Sequence, residues 1–236
     1  MNNLENILFL DIETVPQFPA YDQCPVELKA LWDRKAENLK RTEGESAADI
    51  YNRAGIYAEF GRVICISTGI IRVQDGVTSL RIKSFSGDDE KQLLTEFAGL
   101  LNNYFYKQEH RLCAHNGKEF DFPYLARRMV INNVAIPFIL DISGRKPWEV
   151  NHLDTMELWK FGDFKSYTSL TLLAYALGIP SPKNDIDGSM VWDVYWNQRN
   201  LSRIVTYCEK DVEALVNVYL RIKGHAVIEH SSIQVV

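Results

Sequence analysis

The chain opens with a continuous apolar run, Ile7-Leu8-Phe9-Leu10, that leads into Asp11-Ile12-Glu13-Thr14. Unbroken hydrophobicity over residues 7–15 predicts a strand covered on both faces rather than one alternating between core and water. Arg62 to Val73 is β-branched and strand-like, Asp75-Gly76 is a hairpin turn, and Val77 to Phe85 returns as a second strand. Ser86-Gly87-Asp88-Asp89 supplies a helix start. Leu93, Leu94, Phe97, Leu100, Leu101, Tyr104 and Phe105 then recur at helical spacing and give one apolar face. Arg111 to His115 predicts a short strand, about Phe120 to Asn132 a helix, and His152-Leu153-Asp154 the end of another strand. Helices follow at about Ser169–Leu177, closed by Gly178 and Pro180, at Ser189–Asn197, and at Leu201–Lys223. This order predicts an α/β fold, a mixed five-stranded sheet flanked by helices. The hairpin supplies antiparallel strands, and two βα units add parallel ones through right-handed crossovers. Residues after about Ala226 read as frayed or loosely docked.

The stretch from about 17 to 60 breaks this pattern. Pro16 and Pro19 interrupt the exit of the first strand. Glu27, Lys29, Asp33, Arg34, Lys35, Glu37, Lys40, Arg41 and Glu43 then mark a charged, solvated helix interrupted near Gly44. It reads as a helical insertion, a flap or an interaction surface, within one domain spanning 1–236.

With 46% hydrophobic and 24% charged residues among 236, the composition is that of an ordinary globular chain. No apolar run is long enough to span a bilayer, and the N-terminus lacks the basic start of a signal peptide. Cys24, Cys65, Cys113 and Cys208 show no CxxC spacing. The expectation is a soluble, reduced, cytoplasmic protein with no membrane partner. A net charge of -5 opposes bulk coating of duplex DNA, although bound cations would reverse the local field.

Three acidic segments carry candidate chemistry. Asp11 and Glu13 are two residues apart on a strand and leave the same face. Two carboxylates beside apolar neighbours repel each other and favour a divalent ion, whereas the plainer alternative is a strand end emerging into solvent. Asp121, in His115-Asn116-Gly117-Lys118-Glu119-Phe120-Asp121, sits just inside a helix start, where it can serve a site or simply complement the helix dipole. On the last helix, Ile204, Cys208, Leu215 and Tyr219 form an apolar stripe with Tyr207 and Asp211 along its edge. Glu209 and Glu213 turn to the other side with Lys210. Asn116 can contact a nucleotide or close its turn. Asp154, with four acids already placed, either supports the ligands from behind or caps the following helix. His110, His115, His152, His225 and His230 form no HxxxH or HExxH pattern, and no phosphate loop or GxSxG elbow is present.

Phe9-Leu10-Asp11-Ile12-Glu13-Thr14, His115 to Asp121, and Tyr207-Cys208-Glu209-Lys210-Asp211 occur in order on a strand, a helix start and a helix. Together they resemble the DEDD, or DnaQ-like, 3′–5′ exonuclease superfamily of ribonuclease H-like fold. The spacing of Tyr207 and Asp211 resembles its tyrosine branch, and position 206 is Thr. More narrowly, residues of about 5 to 225 resemble the predicted exonucleases related to the proofreading domain of family B DNA polymerases.

The resemblance implies that Asp11, Glu13, Asp121 and Asp211 hold two Mg²⁺ or Mn²⁺ ions, hard cations that suit carboxylate oxygen. It implies that Tyr207 positions the attacking water, and that Thr14, Asn116 and Phe120 meet the terminal nucleotide. The implied reaction shortens single-stranded DNA from its 3′ end and releases nucleoside 5′-monophosphates. RNA is the enzymatic alternative, and a non-catalytic nucleic-acid-binding module of the same fold is the other. Substrate grip would combine stacking aromatics with scattered cations, for which Lys118, Arg127, Arg128, Lys146, Lys160 and Lys165 are candidates.

Overall fold

The structure is a computed structural model and describes residues 4–39, 44–163, 167–180 and 185–236. Strand β1 (Ile7–Pro16) is central, and α1 (Val26–Glu37) follows it. Strands β2 (Gly61–Gln74) and β3 (Val77–Ser86) form the hairpin, with Asp75 and Gly76 both at positive φ in its turn. Then come α2 (Glu90–Tyr104), β4 (Arg111–Ala114), α3 (Asp121–Ile131), β5 (Leu153–Asp154) and α4 (Thr155–Lys160). The chain finishes with α5 (Leu170–Ala176), α6 (Val191–Trp196), α7 (Leu201–Ile222) and β6 (Ile233–Val235).

The strands lie in the order β5-β4-β1-β2-β3-β6 in one mixed, six-stranded sheet. Strand β1 runs antiparallel to β2 and parallel to β4, and β5 is parallel to β4. The five expected strands are all present. The sixth corrects the expectation of a frayed C-terminus: β6 pairs in parallel with β3, Leu80 opposite Ile233 and Ile82 opposite Val235. Three residues are too few to show a period in the sequence, and ladder bonds to an existing edge supply the order that local propensity does not.

Strand β1 divides the core by parity. Leu8, Leu10 and Ile12 join the cluster under α2 and α3, whereas Ile7 and Phe9 pack with Val212, Leu215, Val216 and Tyr219 of α7. Asp11 and Glu13 continue the second face, so the geometry of a strand aims both carboxylates at α7. Gly69 on β2 lets that helix settle closely, because a Cβ there would lie 2.8 Å from Val212 Cγ1.

The segment between β1 and β2 is more than a charged helix. Trp32, Ala36, Ile50, Tyr51 and Phe60 form a small apolar cluster of their own, and Trp32 donates its indole N–H to Ala47 O at 2.8 Å. It is also tied to α3. Tyr124 Oη donates to Gly55 O, and Arg128 Nη1 to Ala58 O. Lys40, Arg41 and Glu43, part of the expected charged run, lie outside the described residues.

Candidate active site

The acids meet where α7 crosses the C-terminal half of β1. Asp11 and Glu13 project from the strand, and one oxygen of each lies with Cys208 Sγ in a group whose members are all within 4.8 Å of one another. Among the described residues this is the group of three acidic, histidine or cysteine side chains close enough to share an ion. The Cys208 thiol sits 3.4 Å from both the main-chain oxygen and Oδ2 of Asp11. It thereby fixes the carboxylate against the helix.

Asp211 stands one turn beyond Tyr207 on α7, its carboxylate close enough to act on the Tyr207 hydroxyl. Burial first, then the charges of Asp211 and Glu13, push the phenol well above its ordinary range, so it stays protonated. Burial first, then Asp211 and Asp121, raise the Asp11 carboxyl well above the usual carboxylate range. Burial and Asp11 do the same to Glu13. These are the electrostatics of acids crowded together without a compensating positive charge.

Asp121 lies outside that group of three but near enough for its charge to act on Asp11. The β1–β4 ladder ends at Phe9 and Cys113, so beyond it one edge of β1 is free of strand pairing. The Ile12 N–H lies close enough to the Asp121 carboxyl to favour its charged form. Burial moves this carboxyl up to about 7, partly opposed by that N–H and by its own main-chain N–H. Asp121 is the first residue of α3 and is buried, so the helix dipole acts on a group that also faces Asp11.

The loop before Asp121 is held by Asp154. Its Oδ1 accepts from Asn116 N–H and Met156 N–H at 2.9 Å, and its Oδ2 from Lys118 N–H at 3.1 Å. Asp154 therefore caps α4 and anchors the Asn116–Lys118 turn at once. Asn116 closes that turn with φ at +63°, its carbonyl accepting from Glu119 and Phe120 N–H groups. Gly117 is required by closeness, since a Cβ would stand 2.3 Å from Ala114 Cβ. His115 bridges Thr155 Oγ1 and Thr168 O at 2.9 and 2.8 Å. Thr14 lies on β1 just past Glu13, near the Tyr124 hydroxyl, and Phe120 packs against the core while its ring tilts over Tyr124.

Sequence reasoning placed Cys208 on an apolar stripe and missed its contact with Asp11. The available signal was its position between Tyr207 and Asp211, on the face turned to β1. Glu209 does turn away from Asp211, but onto the sheet, where it accepts from Ser84 Oγ at 2.8 Å. The cation candidates divide. Arg128 is buried and paired with Glu90 through Nη2–Oε2 at 2.5 Å, which removes it from the surface. Lys118 pairs with Glu157 at 2.7 Å, Lys146 and Lys160 lie over the rings of Trp148 and Tyr167, and Arg127 is exposed. Lys165 lies outside the described residues.

Among solved structures, the family B DNA polymerase of Pyrobaculum calidifontis aligns with 94% of this chain and 26% of its own, at 15% identity and a TM-score of 0.46. The RNase domain of the yeast Pop2 protein aligns over 98% and 81% of the two chains, at 13% identity and a TM-score of 0.42. E. coli exonuclease I in complex with a dT13 oligonucleotide aligns over 86% and 41%, at 13% identity and a TM-score of 0.38. The chain thus spans about a quarter of the polymerase and under half of exonuclease I. No curated protein sequence matches it.

A family model described as "Predicted 3'-5' exonuclease related to the exonuclease domain of PolB" matches residues 56–230. That span includes Asp121, Asp154, Tyr207 and Asp211, while Asp11 and Glu13 precede it. The matched residues make up most of the chain, which therefore belongs to this family of 3′–5′ exonucleases.

Proposed function

We propose that this nuclease hydrolyses single-stranded DNA from the 3′ end, releasing nucleoside 5′-monophosphates, with Asp11, Glu13, Asp121 and Asp211 as ligands of two divalent cations. The observation that carries this reading is the meeting of acids from β1, α3 and α7 around a protonated tyrosine. The residues fit such ions. They offer carboxylate oxygens, the donors that Mg²⁺ and Mn²⁺ prefer; Glu13 and Asp121 are buried and Asp11 and Asp211 half-buried, and negative charge so placed favours a cation or a proton.

Bound there, the ions would supply electrostatic stabilisation of the attacking and leaving oxygens of an in-line displacement at phosphorus. The remaining work falls to this chain's own side chains. Tyr207, kept protonated and directed by Asp211, holds the attacking water by its phenol rather than removing a proton. Cys208 keeps the Asp11 carboxylate from swinging away from the group. The Ile12 N–H and the turn anchored by Asp154 fix Asp121. Thr14, Asn116 and Phe120 border the acids, where the terminal nucleotide would lie. The chain as a whole, 1–236, acts as one exonuclease domain in which the segment between β1 and β2 is an insertion braced by Arg128.

Digestion of matched 3′-labelled DNA and RNA oligonucleotides with Mg²⁺ or Mn²⁺ tests this, beside an Asp11→Ala control. Expected are stepwise shortening of the DNA, nucleoside 5′-monophosphate as product, and loss of both in the control. Tyr207→Phe is expected to lower turnover by roughly 10²-fold, the low end for loss of one positioned hydrogen-bond donor in an active site. Faster digestion of RNA would move the substrate assignment to RNA. Undiminished cleavage by Asp11→Ala would end the assignment of the site.

A further inference from the structure

A second cavity lies at the opposite end of the sheet from the acids. Arg111 opens β4 and stands opposite Ile7 on β1, four residues before Asp11. That is about 13 Å along the strand at roughly 3.3 Å per residue. The cavity has a volume of about 350 Å³ and is bounded by the α2–β4 loop, the turn at residues 138–140 and the segment before β5. This volume falls in the range of small-molecule sites.

Its lining is chemically one-sided. Among the described residues, Lys107, Arg111 and Arg145 border it and no carboxylate does. None of the three forms an ion pair with a carboxylate among the described residues. Glu109, whose charge acts on its neighbour His110, is a nearby counter-charge. Arg111 donates Nη1 to Gln108 O and His110 O. This anchors the guanidinium while Nε and Nη2 remain without a partner among the described residues. The floor is His152, whose Nδ1 accepts from Leu112 N–H and whose Nε2 faces Ile139 O at 2.8 Å. Both ring nitrogens are engaged, so His152 is a wall and not a ligand group.

The other walls are apolar and amide. Phe138 is 59% exposed although it lines a concave site, and Ile142 stands beside it. Gln108 and Asn151 add side-chain amides at the rim. Three cations, an open aromatic face and two amides match an anion that carries a flat ring with hydrogen-bonding edges. The geometry points to a nucleotide-binding site here, one that takes a phosphomonoester on Lys107, Arg111 and Arg145 and the base against Phe138. It is separate from the acid cluster and does not depend on the metal assignment.

Calorimetric titration of the full chain in EDTA tests the site, because the acid cluster then repels anions. The probes are adenosine 5′-monophosphate, adenosine, inorganic phosphate, and one octanucleotide with either a 5′-phosphate or a 5′-hydroxyl. The monophosphate is expected to saturate a single site, with adenosine and phosphate at least about tenfold weaker. Lys107→Glu/Arg145→Glu and Phe138→Ala are each expected to weaken it at least about tenfold, with unchanged melting temperature and unchanged strand digestion. Competition by the 5′-phosphorylated octanucleotide alone would extend the site to strand ends, and absence of competition would confine it to free nucleotide. No saturable binding of the monophosphate, equal binding of adenosine, or full binding by the charge-reversed variant would each overturn the assignment.

Discussion

Cys208 Sγ lies 3.4 Å from Asp11 Oδ2, so a thiol on α7 holds a carboxylate on β1. Sulfur is a weak donor, yet it is positioned at a residue whose direction governs the site. Cys208→Ala is expected to cost about 1 kcal/mol of stability, as for a typical lost hydrogen bond, and to lower turnover more than it lowers substrate affinity. Cys208→Ser restores a donor and is expected to recover most of the rate. Steady-state digestion and thermal melting of the two variants check this, and equal turnover in both would remove the positioning role.

Crowding of Asp11, Glu13, Asp121 and Asp211 has a cost when no cation is present. Asp11→Asn removes one of the mutually repelling charges. It is expected to raise the stability of the metal-free protein by about 0.5–2 kcal/mol, the usual range for a single stabilising substitution, while abolishing cleavage. Added Mn²⁺ is expected to raise the melting temperature of the parent protein and to have a smaller effect on the variant. Equal shifts in both would argue against Asp11 as a ligand.

Arg128 and Glu90 form a buried pair linking α3 to α2, and both reach beyond it. Glu90 Oε1 accepts from Val63 N–H at 2.7 Å, and Arg128 Nη1 donates to Ala58 O at 2.8 Å. Arg128→Ala strands a buried carboxylate and is expected to cost about 3–5 kcal/mol. Denaturant unfolding measures the loss, and a cost below about 1 kcal/mol would mean that Glu90 is rescued by water.

His152 is held down to about 4, chiefly by burial, with Arg111, Lys118 and Arg145 adding to the effect against the pull of Ile139 O. The neutral ring is the folded form. In the unfolded chain it takes up a proton near the ordinary value of about 6.5. Its contribution is therefore complete above that pH and is lost as pH falls toward 4, by roughly 3 kcal/mol at about 1.4 kcal/mol per pH unit. Asp121, raised to about 7, works in the opposite direction in the metal-free protein. NMR titration of the His152 ring isolates its own part, and protonation above pH 6 would contradict the burial argument.

Much of this was legible in the sequence because strand and helix periods are geometric. Parity alone set Asp11 and Glu13 on one face, and the 3.6-residue turn separated Asp211 from Glu209. Illegible were contacts joining segments with no shared period. Examples are the Cys208 thiol on Asp11, the double service of Asp154, and the pairing of Arg128 with Glu90. The apolar cluster around Trp32 was masked because its residues are scattered through a run of charges, and a side chain's neighbours there are set by folding back rather than by spacing.

Strand β6 has a bearing on how the molecule behaves in a crowded solution. A β3 edge without it would offer unpaired main-chain groups along Leu80 to Ile82 to any extended chain nearby. Ile233–Val235 occupies those groups from within the same chain. The edge of the sheet on this side is thus a strand of only three residues, short enough to give another chain little to pair with, and a change there would act on solubility before it acted on cleavage.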